Sequence, residues 1–503
     1  MIDIFARGRP EGQKRAPSKR FRRQKVGPGT SVLRSSSVLM VGSVAAQVIP
    51  LVTLPIVTRM YDPAAIGLQA LAITWASTLS VIATLRLDLA SVLAANERAA
   101  ERIVHATLTT MLMVIPCIAL LLALFDDLIL GMIGHSEATF WLWMLPVLSL
   151  MMALTQLGSS LQVRQKGFRR LALVNLVNQT STQSLSLGIG AFSPWLGGLV
   201  IARVLGQIAA VVSLWSNGLW AYVKTWKFSL RDLREVLAEC RQFAVFNTPY
   251  SIVSTVARDA PLIIFGALAS ATTVGFYGIA RAVMFVPTSL ASVSLGPVFF
   301  KEAVDKIGTP ELERVAKRLL AVGMFVPAAG FALVVVVGPE IFALAFGADW
   351  RVAGEFAALL APASWCALQS SWIGRVFEVR GKQRRQFVMQ IIADSTVIVA
   401  VGGTMILWGD LLVSVALFAL LSGVQSLVYF FVAARVASFK LIALARTWAF
   451  GAGFFALVVV ALVVFETTAS SLGIHGVWFS IAFACVATVT VTVFFRRWMT
   501  QSS

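Results

Sequence analysis

Apolar runs of about 18 or more residues recur along almost the whole chain, most of them bounded by charged residues. A helical run of that length spans a hydrocarbon core of about 30 Å. In lipid, every backbone N–H and C=O must find its partner inside the segment, so a spanning helix is the simplest solution. The pattern predicts an all-α polytopic membrane protein with about 14 transmembrane helices. The runs cover 31–58, 66–94, 103–125, 138–163, 171–191, 194–222, 243–268, 272–300, 315–338, 353–378, 387–408, 411–435, 441–465 and 474–495. With 58% apolar and 13% charged residues in 503, a soluble domain is excluded.

The net charge of +18 would suit a nucleic-acid binder, but its distribution argues otherwise. Of the 42 Lys and Arg, 35 fall in the N-terminal tail, alternate loops and the C-terminal tail. Only Arg59 and Arg351 fall in the opposite loops, and five lie inside spans. That asymmetry predicts both termini in the cytoplasm and no nucleic-acid partner. Cys117, Cys240, Cys366 and Cys485 have no paired spacing, so no disulfide framework is expected. His105, His135 and His475 are scattered, so no metal site is expected.

Residues 1–30 read as a disordered basic cytoplasmic tail. A six-helix lobe is expected over 31–222 and a second over 243–437. The connection 223–242 reads as an amphipathic cytoplasmic helix with Leu230, Leu233 and Leu237 on its apolar side. Residues 438–503 hold helices 13 and 14 and a tail, and lack the polar faces of the lobes. An internal echo supports the division. Ala65-Ile66-Gly67-Leu68-Gln69-Ala70-Leu71-Ala72 opens span 2, and Thr273-Val274-Gly275-Phe276-Tyr277-Gly278-Ile279-Ala280 opens span 8, 208 residues later. Six spans bring the chain back to the same side, so the halves would be related by an axis along the membrane normal.

The stretch 247–301 carries the sharpest functional signal. Its two apolar helices, joined by a turn at 269–273, contain Arg258 and Arg281. At 1.5 Å per residue these lie roughly 18 Å and 15 Å from the turn, near mid-membrane. A cation there costs several kcal/mol unless it meets water, a partner or a ligand. Asp259 alone does not neutralise both. The expectation is a water-filled, cationic cavity between two bundles that receives an anionic headgroup.

In span 5, Asn175, Asn178, Gln179, Thr182, Gln183 and Ser186 recur at helical spacing on one face. Such a stripe serves interhelical hydrogen bonding or forms a sugar-facing wall. Arg203 and Gln207 share a face of span 6, and Trp365, Gln369 and Trp372 a face of span 10. Arg86 and Asp88 snorkel to the cytoplasmic boundary or line the inner mouth of the cavity. Asp394, about 10 Å from the inner surface, is a protonatable residue, a sodium ligand or an arginine partner. Asp88, Asp259 and Asp394 are the candidates for ion coupling. Pro50 and Pro55 should kink span 1, and the piece after Gly338-Pro339-Glu340 reads as a re-entrant or interfacial helix.

Four stretches together carry a family resemblance: Pro55-Ile56-Val57-Thr58-Arg59-Met60-Tyr61-Asp62-Pro63-Ala64-Ala65-Ile66-Gly67, Arg86-Leu87-Asp88-Leu89-Ala90, Val274-Gly275-Phe276-Tyr277-Gly278-Ile279-Ala280 and Leu344-Ala345-Phe346-Gly347-Ala348-Asp349-Trp350. With them the chain resembles the polysaccharide transporters, the Wzx-type flippases of the multidrug/oligosaccharidyl-lipid/polysaccharide flippase superfamily. The resemblance implies two six-helix lobes around a cavity that opens alternately to each side of the cell inner membrane. It also implies a polyprenyl-diphosphate-linked oligosaccharide as cargo, such as a lipopolysaccharide O-antigen, capsule or exopolysaccharide unit.

Arg258, Arg281 and Arg203 are the expected ligands of the diphosphate, because guanidinium forks match phosphate. Asn175, Asn178, Gln179, Gln183, Gln207 and Gln369 would form the sugar-facing wall. No cofactor and no bond chemistry are expected; coupling to Na+ or H+ stays open. Glycan polymerase or assembly proteins are conceivable partners. The rivals are a lipid-linked cell-wall precursor flippase, a drug or ion antiporter, and a membrane glycosyltransferase or polymerase. The last generally needs a sizeable outer loop with catalytic residues, and 126–137, with Asp126, Asp127 and His135, is short.

Overall fold

The computed structural model describes residues 30–126, 139–216, 219–471, 478 and 480–490. The tail expected over 1–30 lies outside them apart from Thr30, as do Asp127, His135 and everything from 491 onward. Among the described residues there are helices and turns and no strand. The first half contains α1 (Thr30–Met60), α2 (Pro63–Thr84), α3 (Leu87–Leu93), α4 (Glu97–Leu124), α5 (Thr139–Arg164), α6 (Phe168–Phe192) and α7 (Gly198–Trp215). Two short helices follow, α8 (Trp220–Thr225) and α9 (Leu230–Glu239). The second half contains α10 (Thr248–Arg258), α11 (Ala260–Leu268), α12 (Ala271–Lys306), α13 (Pro310–Phe325), α14 (Ala328–Phe346), α15 (Arg351–Ile373), α16 (Arg375–Val379), α17 (Gln383–Leu407) and α18 (Leu411–Val436). The chain continues into α19 (Leu441–Ser471) and α20 (Ser480–Thr490).

Among the described residues helices lie in each of the expected stretches, the last, 474–495, being described only at 478 and 480–490. Among the described residues nine are long and apolar enough to cross a membrane, or ten if the bent pair α10–α11 counts as one span. α6 is not among them, because its amides and hydroxyls dilute its apolar content. α1 runs on through Pro50 and Pro55. The hydroxyls of Thr53 and Thr58 donate to the carbonyls of Ile49 and Leu54 beside those prolines. The piece after Gly338-Pro339 is a short helix of its own, as expected: α14 is two helices joined across a kink at Val337 (φ −123°), and the second runs to Phe346, where Gly347 (φ 115°) ends it. Pro339 explains the bend, since it removes one helical donor and crowds the preceding turn.

α9 is held on the first half: Leu233 and Val236 are buried with Leu87, Ala90 and Ile103 of α3 and α4. Ser229 caps it by accepting from the Asp232 N–H. α19 lies against the second half, where Phe455 stacks on Trp365 at 4.8 Å between ring centres. α20 adds Ala484 to a small cluster with Ala329, Ala332, Val458 and Leu462 of α14 and α19.

The two halves meet most tightly where α2 crosses α12, near the turns Tyr61–Asp62 and Ala269–Ser270. A β-carbon on Gly67 would overlap the Ala271 carbonyl, and one on Gly275 would overlap the Pro63 carbonyl. The contact is reciprocal, with both glycines and both carbonyl residues 208 positions apart. This is what a two-fold relation between halves produces at its axis. Trp350 and Arg59 close the same end. The Trp350 indole donates to the Thr58 carbonyl at 2.9 Å, and Arg59 to the Leu344 carbonyl at 2.9 Å. We call this end the turn face and the opposite end, which carries the loops after α2, α5 and α16, the basic face.

Candidate functional site

The span that contains Arg258 is broken at that residue. α10 and α11 meet at 64° around Asp259. Pro261 has no N–H to give the Ala257 carbonyl, and proline disfavours a helical conformation in the residue before it. The break leaves Arg258 at the C-terminal end of α10 and Asp259 at the N-terminal end of α11. Each charge sits at the helix end whose dipole favours it. Discontinuous helices of this kind expose backbone and side-chain charge at mid-depth.

Asp259 serves both arginines. Arg281 of α12 donates from Nη1 to Asp259 Oδ1 at 3.0 Å, and Arg258 from Nη2 to Oδ2 at 3.4 Å. The Asp259 side chain is 13% exposed, Arg281 29% and Arg258 63%. Two cations on one anion leave the group with one formal positive charge. Most of it sits on the guanidinium that remains open.

Arg203 shares no ion-pair or hydrogen-bond partner with this group among the described residues. Its Nη1 donates to Asn178 Oδ1 at 3.5 Å. Asn178 donates to Gln207 at 2.6 Å, and Gln207 to Thr155 of α5 at 2.8 Å. The chain of contacts ties α5, α6 and α7 together inside the first half, where Gln207 is 4% exposed. Gln183 points another way and accepts from Thr53 of α1 at 3.0 Å. The polar stripe of α6 thus divides between two neighbouring helices, with Asn175 exposed and Gln179 half-buried at its start.

Gln369 lies elsewhere altogether. It is fully buried, donating to the Gly323 carbonyl of α13 at 2.7 Å. Trp365 and Trp372 on the same face are buried with it. That face is a packing face, because the apolar sides of α13 and α19 cover it.

Arg86 neither snorkels nor hangs free. Leu85 and Arg86 take left-handed backbone angles (φ 47° and 54°), which turns the chain between α2 and α3. The turn carries the Arg86 guanidinium to Ser251 of α10, a 2.8 Å hydrogen bond between the two halves. Asp88 is corrected from a mouth position to an interior one. It is 2% exposed and faces Ser160 of α5 at 3.4 Å. Asp394 of α17 accepts from Gln390 at 2.9 Å. It lines a cavity of about 30 Å³ with Tyr250 and Ser254 of α10, room for about one water. Ser251, Ser254 and Gln390 escaped the sequence reading, since single hydroxyls and an amide on amphipathic helices carry no signal of their own.

A family model described as polysaccharide biosynthesis protein matches residues 32–301. The succinoglycan biosynthesis transport protein ExoT of Rhizobium meliloti (strain 1021) is 26% identical over 255 residues, 50% of this chain. The match spans about half of that relative, 49% of its length. Among solved structures, lipid II flippase MurJ in an inward closed conformation superposes with a TM-score of 0.65 at 11% identity. That match covers 93% of this chain and 100% of the other. An inward-facing multidrug resistance MATE family transporter of the MOP superfamily gives a TM-score of 0.54 at 14% identity, over 80% of this chain and 94% of the other. At such identities the likeness is one of fold: all-α, polytopic, two helical lobes.

Proposed function

The chain belongs to the polysaccharide biosynthesis protein family, and on that premise we propose that it is a flippase for a polyprenyl-diphosphate-linked oligosaccharide. It moves the polar head from the inner to the outer leaflet of the cytoplasmic membrane by alternating access. The basic face is then cytoplasmic, with both termini on that side, as the asymmetry of Lys and Arg requires. The observation that carries the reading is the group Arg258–Asp259–Arg281 at a helix break, which helical rise puts near mid-membrane. An arginine 63% exposed at that depth is tolerable only toward water or an anion.

Arriving diphosphate supplies what the site lacks. Asp259 holds the two guanidiniums together before loading, which limits their repulsion. Phosphate oxygens then compete with Asp259 for the same N–H donors, with charge-assisted hydrogen bonds on both sides. The amides of α6 that remain exposed, Asn175 foremost, offer partners to sugar hydroxyls. The protein breaks no bond in this scheme. Net transport is driven by the difference in lipid-linked glycan between the leaflets or by a Na+ or H+ gradient. Asp394 with Gln390 is the group best placed to sense such a gradient. Polymerase and assembly proteins would receive the product.

The test compares Arg258→Ala, Arg281→Ala and the double variant in cells, scoring lipid-linked glycan that builds up in the inner leaflet. Losing one charge-assisted contact costs about 1.5–3 kcal/mol, so each single variant slows export about tenfold or more and the double variant further. Unchanged export in the double variant overturns the headgroup role.

A further inference from the structure

A cavity of about 430 Å³ lies on the seam between the halves, toward the turn face. Leu71 and Trp75 of α2, Leu121 of α4 and Trp141 of α5 form three sides. The fourth is α11, through Ile263, Gly266 and Ala267. These three positions are i, i+3 and i+4, one face of the helix. The lining is aliphatic and aromatic, and Trp75, Leu121 and Ala267 are exposed at its edge. A space of this size is ample for an extended hydrocarbon chain and ordinary for a ligand pocket.

The wall residue Ile263 stands four positions after Asp259, and Ala267 eight. By helical rise the cavity begins about 6 Å from the charged group and ends about 12 Å from it. One broken helix therefore presents guanidiniums at its start and an apolar chamber along its length. That is the profile of an amphiphile whose phosphate sits at mid-depth. A bilayer phospholipid does not fit it, because its phosphate stays at the membrane surface.

We propose that this cavity holds the first isoprene units of the polyprenyl tail while the diphosphate rests on Arg258 and Arg281. The assignment rests on the flippase reading and extends it to the tail. It also gives the tail a direction. With the head entering from the basic face, the chain points toward the turn face, the orientation the lipid has in the inner leaflet. The cavity thus belongs to the loaded, not yet flipped state, and release requires the chain to leave it.

The experiment uses the full chain in phosphatidylethanolamine–phosphatidylglycerol liposomes with a diazirine-bearing polyprenyl diphosphate that carries no sugar. Labelled peptides are mapped by mass spectrometry, with and without excess unlabelled polyprenyl diphosphate. Labelling on the segments of Trp75, Leu121 or Ala267 that the unlabelled lipid competes away supports the assignment. Ala267→Trp, at the exposed rim, should lower that labelling about tenfold, the effect of excluding roughly two methylenes of buried chain. An unchanged unfolding temperature for that variant excludes misfolding as the cause. Competed labelling confined to other helices overturns the tail site and leaves the flippase reading standing. Cavity labelling that the unlabelled lipid does not displace marks a bilayer chain and overturns it too. Absence of competed labelling anywhere overturns the flippase reading itself.

Discussion

The seam between the halves is built differently at its two ends. At the turn face the backbones of α2 and α12 touch through Gly67 and Gly275, and Trp350, 1% exposed, plugs the remaining gap. Phe276 meets Trp350 edge to face at 5.8 Å, and Tyr277 is fully buried beside them. Toward the basic face the halves are linked by the Arg86–Ser251 hydrogen bond, with Tyr250, Val253 and Arg258 exposed nearby. One end is a dry, interlocked joint; the other is a polar latch. A single hydrogen bond from a charged donor is worth about 1.5–3 kcal/mol. A large buried aromatic side chain is worth about 3–5 kcal/mol. The basic end is therefore the end that yields first.

Four substitutions would break or sharpen this contrast. Trp350→Ala removes a buried indole and its bond to Thr58, and should cost about 3–5 kcal/mol in thermal or denaturant unfolding. A loss near zero would mean the turn face is not sealed there. Gly67→Leu forces a side chain against the Ala271 carbonyl, a typical overpacking cost of about 1–3 kcal/mol. Gly275→Leu should cost the same in the same unfolding measurement, since its β-carbon meets the Pro63 carbonyl; unequal losses would refute the reciprocal crossing. Arg86→Ala should change stability by about 1.5–3 kcal/mol. Its effect should appear also as faster labelling of a cysteine placed at Ser254 from the basic side. Slower or unchanged labelling would show that the latch does not hold that end shut.

Much of this was legible in the sequence because it follows from period and composition. The helical spans, and the placing of Arg258 and Arg281 on two successive ones, needed only a count of apolar runs. The turn was equally plain, though shorter than the expected 269–273: α12 already starts at Ala271, capped by Ser270, which accepts from the Thr273 N–H. Pro249 and Pro261 mark span 7 as kinked, and it is; that the kink is a 64° break into two helices at Asp259 is not legible in a single apolar run from 243 to 268. The sharing of Asp259 depends on a distance between α10, α11 and α12 that no spacing reports.

Gln369 shows the limit most clearly. Its period with Trp365 and Trp372 identifies a common face but not whether sugar, water or another helix lies beyond it. Asp88 was misplaced for a related reason. Two left-handed residues, Leu85 and Arg86, rotate α3 inward, and neither is a type that advertises such a turn.

The crossing of α2 and α12 also gives a physical reason for the internal echo. Gly67 abuts the Ala271 main chain and Gly275 the Pro63 main chain, so a side chain added on either helix collides with the backbone of the other. Each of the two positions is held to glycine by its opposite number.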